Sequence, residues 1–88
     1  MATQKVLVVE DETPVRQMIA FNLKRAGYEV FEAADVRSAR ASIADNPPDL
    51  VLVDWMLPDS SGLELTRLLR SEYSFSELPS IMLTARAE

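Results

Sequence analysis

Cysteine and histidine are both missing from this 88-residue chain, and glycine occurs only twice. Without cysteine there is neither a disulfide framework nor a thiolate metal site. Without histidine the commonest general base is gone, as is one common phosphoryl-carrying nucleophile, so any chemistry falls to carboxylates. The two glycines, Gly27 and Gly62, place no glycine-rich loop behind the first apolar run, which argues against dinucleotide binding. No apolar run approaches the roughly 20 residues that span a bilayer, and Met1 to Lys5 lacks a signal-peptide pattern. A formal net charge of −5 has the wrong sign for a surface that neutralises phosphates. No membrane partner and no direct nucleic-acid contact by this segment are therefore expected, and a reducing, cytoplasmic setting fits.

What is present is ordinary globular material, 48% hydrophobic and 26% charged. The length allows one domain, residues 1–88, whose modest buried fraction implies marginal stability unless a partner helps. Three short apolar runs, KVLVV, DLVLVD and PSIMLT, have the near-continuous pattern of strands buried on both faces of a parallel sheet. A fourth, YEVFEA, alternates more and suits an edge strand. Helical patterns separate them. Thr13 is the expected N-cap of the first helix, with Pro14 at its first position and Gly27 at its end. Its inward stripe reads Val15, Met18, Ile19, Leu23 and Ala26, leaving Phe21 outside. Asp35 caps a second helix with Val36, Ala39 and Ile43 inward, and Pro47 and Pro48 stop it. Ser61 and Glu64 form a capping box for a third, with Leu65, Leu68 and Leu69 inward. The order β-α-β-α-β-α-β implies an α/β fold, a doubly wound parallel sheet with right-handed crossovers.

In such sheets ligands bind beyond the carboxyl ends of the strands. Those ends carry Glu10 and Asp11 on the first strand, Asp54 on the third and Thr84 on the fourth. Two like charges ~4 Å apart repel by about 4 kcal/mol at an effective dielectric near 20. Gathering three carboxylates on one rim is thus costly without a cation or raised pKa values. An oxygen-only set suits Mg²⁺ or Mn²⁺ rather than zinc, and such an ion leaves one carboxylate available as a nucleophile. Asp54 is the expected nucleophile toward a phosphoryl group, because it ends the central strand and precedes the loop WMLPDSSG. Thr84 would donate its hydroxyl to an equatorial phosphoryl oxygen, with backbone N–H groups after Asp54 and Thr84 assisting.

The stretches VLVVEDE, DLVLVDWMLPDSSG and LPSIMLTA together resemble the receiver domain of bacterial two-component response regulators, over essentially the whole chain. DWMLP is most similar to the subfamily whose receivers precede a winged-helix DNA-binding domain, the group typified by the phosphate-regulon regulator. The resemblance implies a flavodoxin-like fold with Asp54 as phosphoacceptor. It implies metal binding by Glu10, Asp11, Asp54 and the backbone carbonyl of Met56. It also implies a switch role for Thr84, followed by the small Ala85. The implied phosphoryl donor is a phosphohistidine on a sensor histidine kinase, and the implied output is transcription. A complete receiver of this family has five βα units, so the sequence corresponds to its N-terminal portion, (βα)3β, without the last helix-strand-helix and its lysine. Lys5 and Lys24 are not at strand carboxyl ends and do not replace that lysine. Weak phosphotransfer, an open edge at the fourth strand and a homodimer or domain-swapped assembly are the expected consequences.

Rival readings stay open at this stage. Glu10, Asp11 and Glu12 also suit a solvated acidic turn before a helix N-terminus, and Asp54 or Thr84 alone suits a strand end or turn. Asp59, Ser60 and Ser61 read as turn and cap residues, Trp55 as a site cover or a contact surface, and Arg37, Arg40, Arg67 and Arg70 as solvated helix faces. A haloacid-dehalogenase-type phosphohydrolase would need an acid two residues after the nucleophile, where Met56 stands. A non-phosphorylated interaction scaffold with the same fold is the remaining alternative. The module is expected to be a regulatory phosphoacceptor rather than an enzyme, with self-catalysed phosphotransfer at most.

Overall fold

Strand β1 (Lys5–Val9) sets the architecture, because Val6, Leu7, Val8 and Val9 are each only 1% exposed. Side chains of a strand alternate between faces, so four consecutive buried residues demand cover on both sides and a neighbour on each edge. The computed structural model describes residues 3–54, 62–72 and 80–84, with only the backbone described for residues 54, 62, 63, 65 and 80–84. The further elements are α1 (Thr13–Arg25), β2 (Glu29–Ala33), α2 (Val36–Asp45), β3 (Leu50–Asp54), α3 (Gly62–Glu72) and β4 (Ser80–Thr84). All strand pairs are parallel and the order is β2-β1-β3-β4, with Leu7 opposite Phe31 on one side and Val51 on the other. This is the doubly wound (βα)3β sheet expected from the sequence, with β2 at an edge as its alternating pattern suggested. Both β1 and β3 are interior, so Asp54 does not mark a single central strand.

The strand order also fixes the faces. The chain steps from β1 outward to β2, then returns past β1 to β3 and onward to β4. With right-handed crossovers, that reversal puts α1 on one face and α2 and α3 on the other. The packing agrees. Leu7, Val9, Ala33, Val51 and Val53 form one cluster with Ala39 and Ile43 of α2 and Leu69 of α3, flanked by Phe31 and Val36. Fully burying such aliphatic side chains is worth about 1.5–3 kcal/mol apiece, and this cluster is the main store of stability.

The helix ends show how local chemistry sets the strand-to-helix geometry. α1 starts one residue earlier than expected: Thr13 is helical, the cap residue is Glu12 in extended conformation, and no side chain makes a capping bond. Pro14 still sits in the first turn, where its missing N–H costs nothing. At the other end Gly27 adopts φ 101°, and the Tyr28 and Gly27 amides donate to the Leu23 and Lys24 carbonyls at 3.1 and 3.0 Å. That paired pattern is a Schellman stop, and its left-handed residue favours glycine. On α1 the buried residue is Ala20, whereas Met18 is 57% exposed and Ala26 is also exposed, contrary to the expected stripe. The small Ala20 permits the closest approach to the sheet, and Val15, Ile19 and Leu23 flank it half-buried. Phe21 is 60% exposed, with the Arg25 guanidinium 5.7 Å from its ring centroid. α2 is capped as expected: Asp35 Oδ1 accepts from the Ser38 amide at 2.8 Å, and Ala39 and Ile43 face the core. In α3 Leu69 is buried and Leu68 half-buried, while Ser61 and the Leu65 side chain lie outside the described residues.

Candidate functional site at the carboxyl rim of the sheet

Parallel pairing carries the register to the strand ends. Val9 lies opposite Val53, and Asp54 lies opposite Thr84. The ladder runs one residue past β1, because the Glu10 amide donates to the Ala33 carbonyl at 3.0 Å. Asp54 and Thr84 thus share a backbone rung. Glu10 is the residue after Val9, whose β3 partner Val53 immediately precedes Asp54; neighbouring strands lie about 4.8 Å apart. Asp11 is the next residue of the same exit turn and is half-buried. Glu10 follows one interior strand and Asp54 ends the other. Between them the direction of winding across the sheet reverses, since β1 leads toward β2 and β3 leads toward β4. A sheet offers a ligand crevice at such a point.

Glu10 is the most informative side chain here. It is only 5% exposed, and its Oε2 accepts the Glu12 amide at 3.1 Å. A carboxylate so deeply placed carries a large desolvation cost, which packing alone does not repay. The Glu10 carbonyl accepts from Arg16 Nη1 at 2.9 Å. Arg16 also pairs through Nε with Glu32 Oε1 on β2 at 3.2 Å, and its Nη2 makes a long 3.4 Å contact with Thr13 Oγ1. Arg16 and Glu32 were not singled out from the sequence. The available signal was a cation one turn into a helix behind an acidic turn, four residues after Glu12. The partners that matter, a strand carbonyl and a side chain on β2, are set by tertiary structure.

The side chains of Asp54 and Thr84, and the whole of Trp55, Met56, Asp59, Ser60 and Ser61, lie outside the described residues. Among the described residues no three His, Cys, Asp or Glu side chains gather as a metal set, and the third acid named from sequence, Asp54, is not one of them. The donor chemistry nonetheless fits a hard divalent ion. It offers carboxylate oxygens without nitrogen or sulfur, one of them buried at a strand end. Elsewhere Arg37, Arg40 and Arg67 are exposed as expected, with Arg40 reaching Glu72 across α2 and α3 at 2.7 Å. Among the described residues no helix is long and apolar enough to cross a membrane.

Known proteins give this rim a context. Residues 6–88 match the family described as response regulator receiver domain. The phosphate regulon transcriptional regulatory protein PhoB of Pseudomonas aeruginosa is 49% identical over 88 residues, covering 100% of this chain and 38% of that protein. PhoB of Escherichia coli K12 is 44% identical over 85 residues, 97% of this chain and 37% of that protein. The chain therefore spans well under half the length of these relatives. Among solved structures, chemotaxis response regulator CheY4 of Vibrio cholerae superposes with a TM-score of 0.84 at 34% identity, covering 93% of this chain and 68% of that one. A response regulator receiver protein from Pseudomonas putida gives a TM-score of 0.87 at 26% identity, covering 100% and 73%. With acids at the reversal point and a family match over nearly its whole length, the chain belongs to the receiver domains of two-component response regulators, a family of regulatory domains.

Proposed function

We propose that the chain is the N-terminal portion of a PhoB-like receiver domain that accepts a phosphoryl group on Asp54. The observation that carries this reading is the register that pairs Asp54 with Thr84 and sets Glu10 one residue beyond the Val9–Val53 pair, at the reversal point of the sheet. The Asp54 carboxylate oxygen attacks phosphorus of a phosphohistidine on a sensor histidine kinase. The P–N bond breaks, its electron pair returns to the imidazole ring, which takes up a proton, and an acyl phosphate remains on Asp54. Glu10, Asp11, Asp54 and the Met56 carbonyl would hold Mg²⁺ or Mn²⁺, and the ion would supply positive charge to offset that of the phosphoryl group. Thr84 donates its hydroxyl to one of those oxygens, and its changed position reports the phosphorylated state. The setting is cytoplasmic and the output, through the parent regulator, is transcription. The outer edge of β4 supports self-association in the same proposal.

The test is incubation with Mg²⁺ and acetyl phosphate, read by intact mass and by fluorescence of Trp55, the single tryptophan. Wild type gains one phosphoryl group and Asp54→Asn gains none. Equal labelling of the two proteins refutes the proposal.

A further inference from the structure

Arg16 ties the acid-bearing turn to two other elements. Its Nη1 holds the Glu10 carbonyl at the exit of β1, while its Nε is fixed by Glu32 on β2. Its own helix adds the long contact from Thr13 Oγ1. The Arg16 side chain is 15% exposed, so these bonds are partly shielded from water and salt. Both peptide groups of Glu10 are held. The backbone N–H is taken by Ala33, the carbonyl by Arg16, and a carboxylate oxygen accepts from Glu12. With both peptide groups of Glu10 pinned, the direction in which the chain leaves toward Asp11 is fixed as well.

We infer that Arg16 is a positioning residue, whose guanidinium holds the Glu10–Asp11 turn in the shape that a divalent cation needs. The inference rests on the metal-binding role proposed for those acids. It goes beyond that role by assigning the turn's geometry to a cation outside the proposed set of metal ligands. A planar guanidinium suits this task because its N–H groups diverge in one plane toward a carbonyl on one side and a carboxylate on the other. A lysine keeps the charge but not the fork. That distinction separates the inference from its rival, in which Arg16 merely offsets nearby negative charge.

The experiment is Mg²⁺ titration of the 88-residue chain, followed by Trp55 fluorescence, for wild type, Arg16→Lys and Arg16→Met. Positioning predicts Mg²⁺ dissociation constants about tenfold higher in both variants, at the lower end of what outer-shell partners of a metal site contribute. Simple charge compensation predicts the opposite pattern, tighter binding in Arg16→Met and no change in Arg16→Lys, and that result overturns the inference. A second readout needs no metal. Amide hydrogen exchange at Glu10, Asp11 and Glu12 accelerates in Arg16→Lys while Val6 to Val9 stay protected, and unchanged exchange counts against the inference. Should Arg16→Lys fail to fold, Glu32→Gln carries the test. Faster amide exchange at Glu10, Asp11 and Glu12 in that variant supports positioning, and unchanged exchange opposes it. Wild type that binds no Mg²⁺ removes the metal-site reading and this inference together. Wild type that binds, with Arg16→Lys unchanged, removes only this inference.

Discussion

Strand β1 has an acid at each end of its ladder, and the two serve different purposes. At the amino end Asp49 is exposed and closes a reciprocal clasp: its Oδ2 accepts the Lys5 amide and its own amide donates to the Lys5 carbonyl, both at 2.8 Å. Every polar group in that clasp is accounted for by holding β1 in register with the start of β3. At the carboxyl end Glu10 is buried and Asp11 half-buried, with Glu12 next in line. There, like charges crowd a strand exit where two exposed hydrogen bonds would have sufficed to fix the chain. Register explains the first acid, and the second group is the one proposed above to hold a cation.

Exchanging the effects of the two ends would undo that division. Asp11→Asn should lower Mg²⁺-dependent labelling by acetyl phosphate about a hundredfold or more, the scale on which a single preorganised group acts in such sites. In metal-free buffer the same variant should melt a few degrees higher, because one repelling charge has gone. Asp49→Ala should do the reverse. Labelling is retained, and stability falls by about 0.5–1 kcal/mol, the net worth of a side-chain hydrogen bond exchanged with water. Urea denaturation and the mass assay, run on both proteins, decide the matter. Two variants that each lose stability and keep labelling would dissolve the distinction.

The smallest effect expected belongs to Asp35, an acid whose work is purely local. The Ser38 amide, helped by the Ser38 hydroxyl and by Arg37, holds its carboxyl below the usual carboxylate range despite a slight opposing effect of burial. A depressed value means that the charged form is favoured by folding. Its contribution is therefore fully present above the ordinary carboxylate pKa and disappears as pH falls through the lowered one. Asp35→Asn keeps the acceptor and loses the charge, so its acid-side melting curve should be flatter than that of wild type. An identical acid limb in the two proteins would contradict the cap's role.

How much of this could be read in advance depended on whether a feature is local or made by the sheet. β1 and β3 are continuous apolar runs. β1 is buried on both faces as that pattern implies, whereas in β3 Val51 and Val53 are buried and Leu50 and Leu52 only half-buried. Parallel pairing then brought the strand ends together with no further information. Asp35, Ala39 and Ile43 followed from a cap and one helical face. α1 was harder, since its apolar residues outnumber the positions that touch the sheet. Small Ala20 makes the close approach, while Met18 and Ala26 remain in solvent. The cap at Thr13 was misplaced because the Thr-Pro pair suggests a start one residue later than the backbone takes. Arg16 was invisible for a deeper reason: its ion-pair partner is 16 residues away on another strand and its best acceptor is a main-chain carbonyl. Neither leaves a trace in hydrophobic periodicity.

The stop at the end of α1 carries a consequence of its own. Gly27 has φ 101°, and a Cβ added there would meet nothing within 4 Å. An obstacle to L-alanine at this place is thus one of handedness rather than of space, and its mirror image escapes it. In chain assembled by chemical synthesis, D-alanine at position 27 should make the protein more stable by about 0.4–1 kcal/mol, by narrowing the unfolded ensemble, while L-alanine weakens it by a similar or larger amount. One stereocentre, with no neighbour to touch, would then decide the sign.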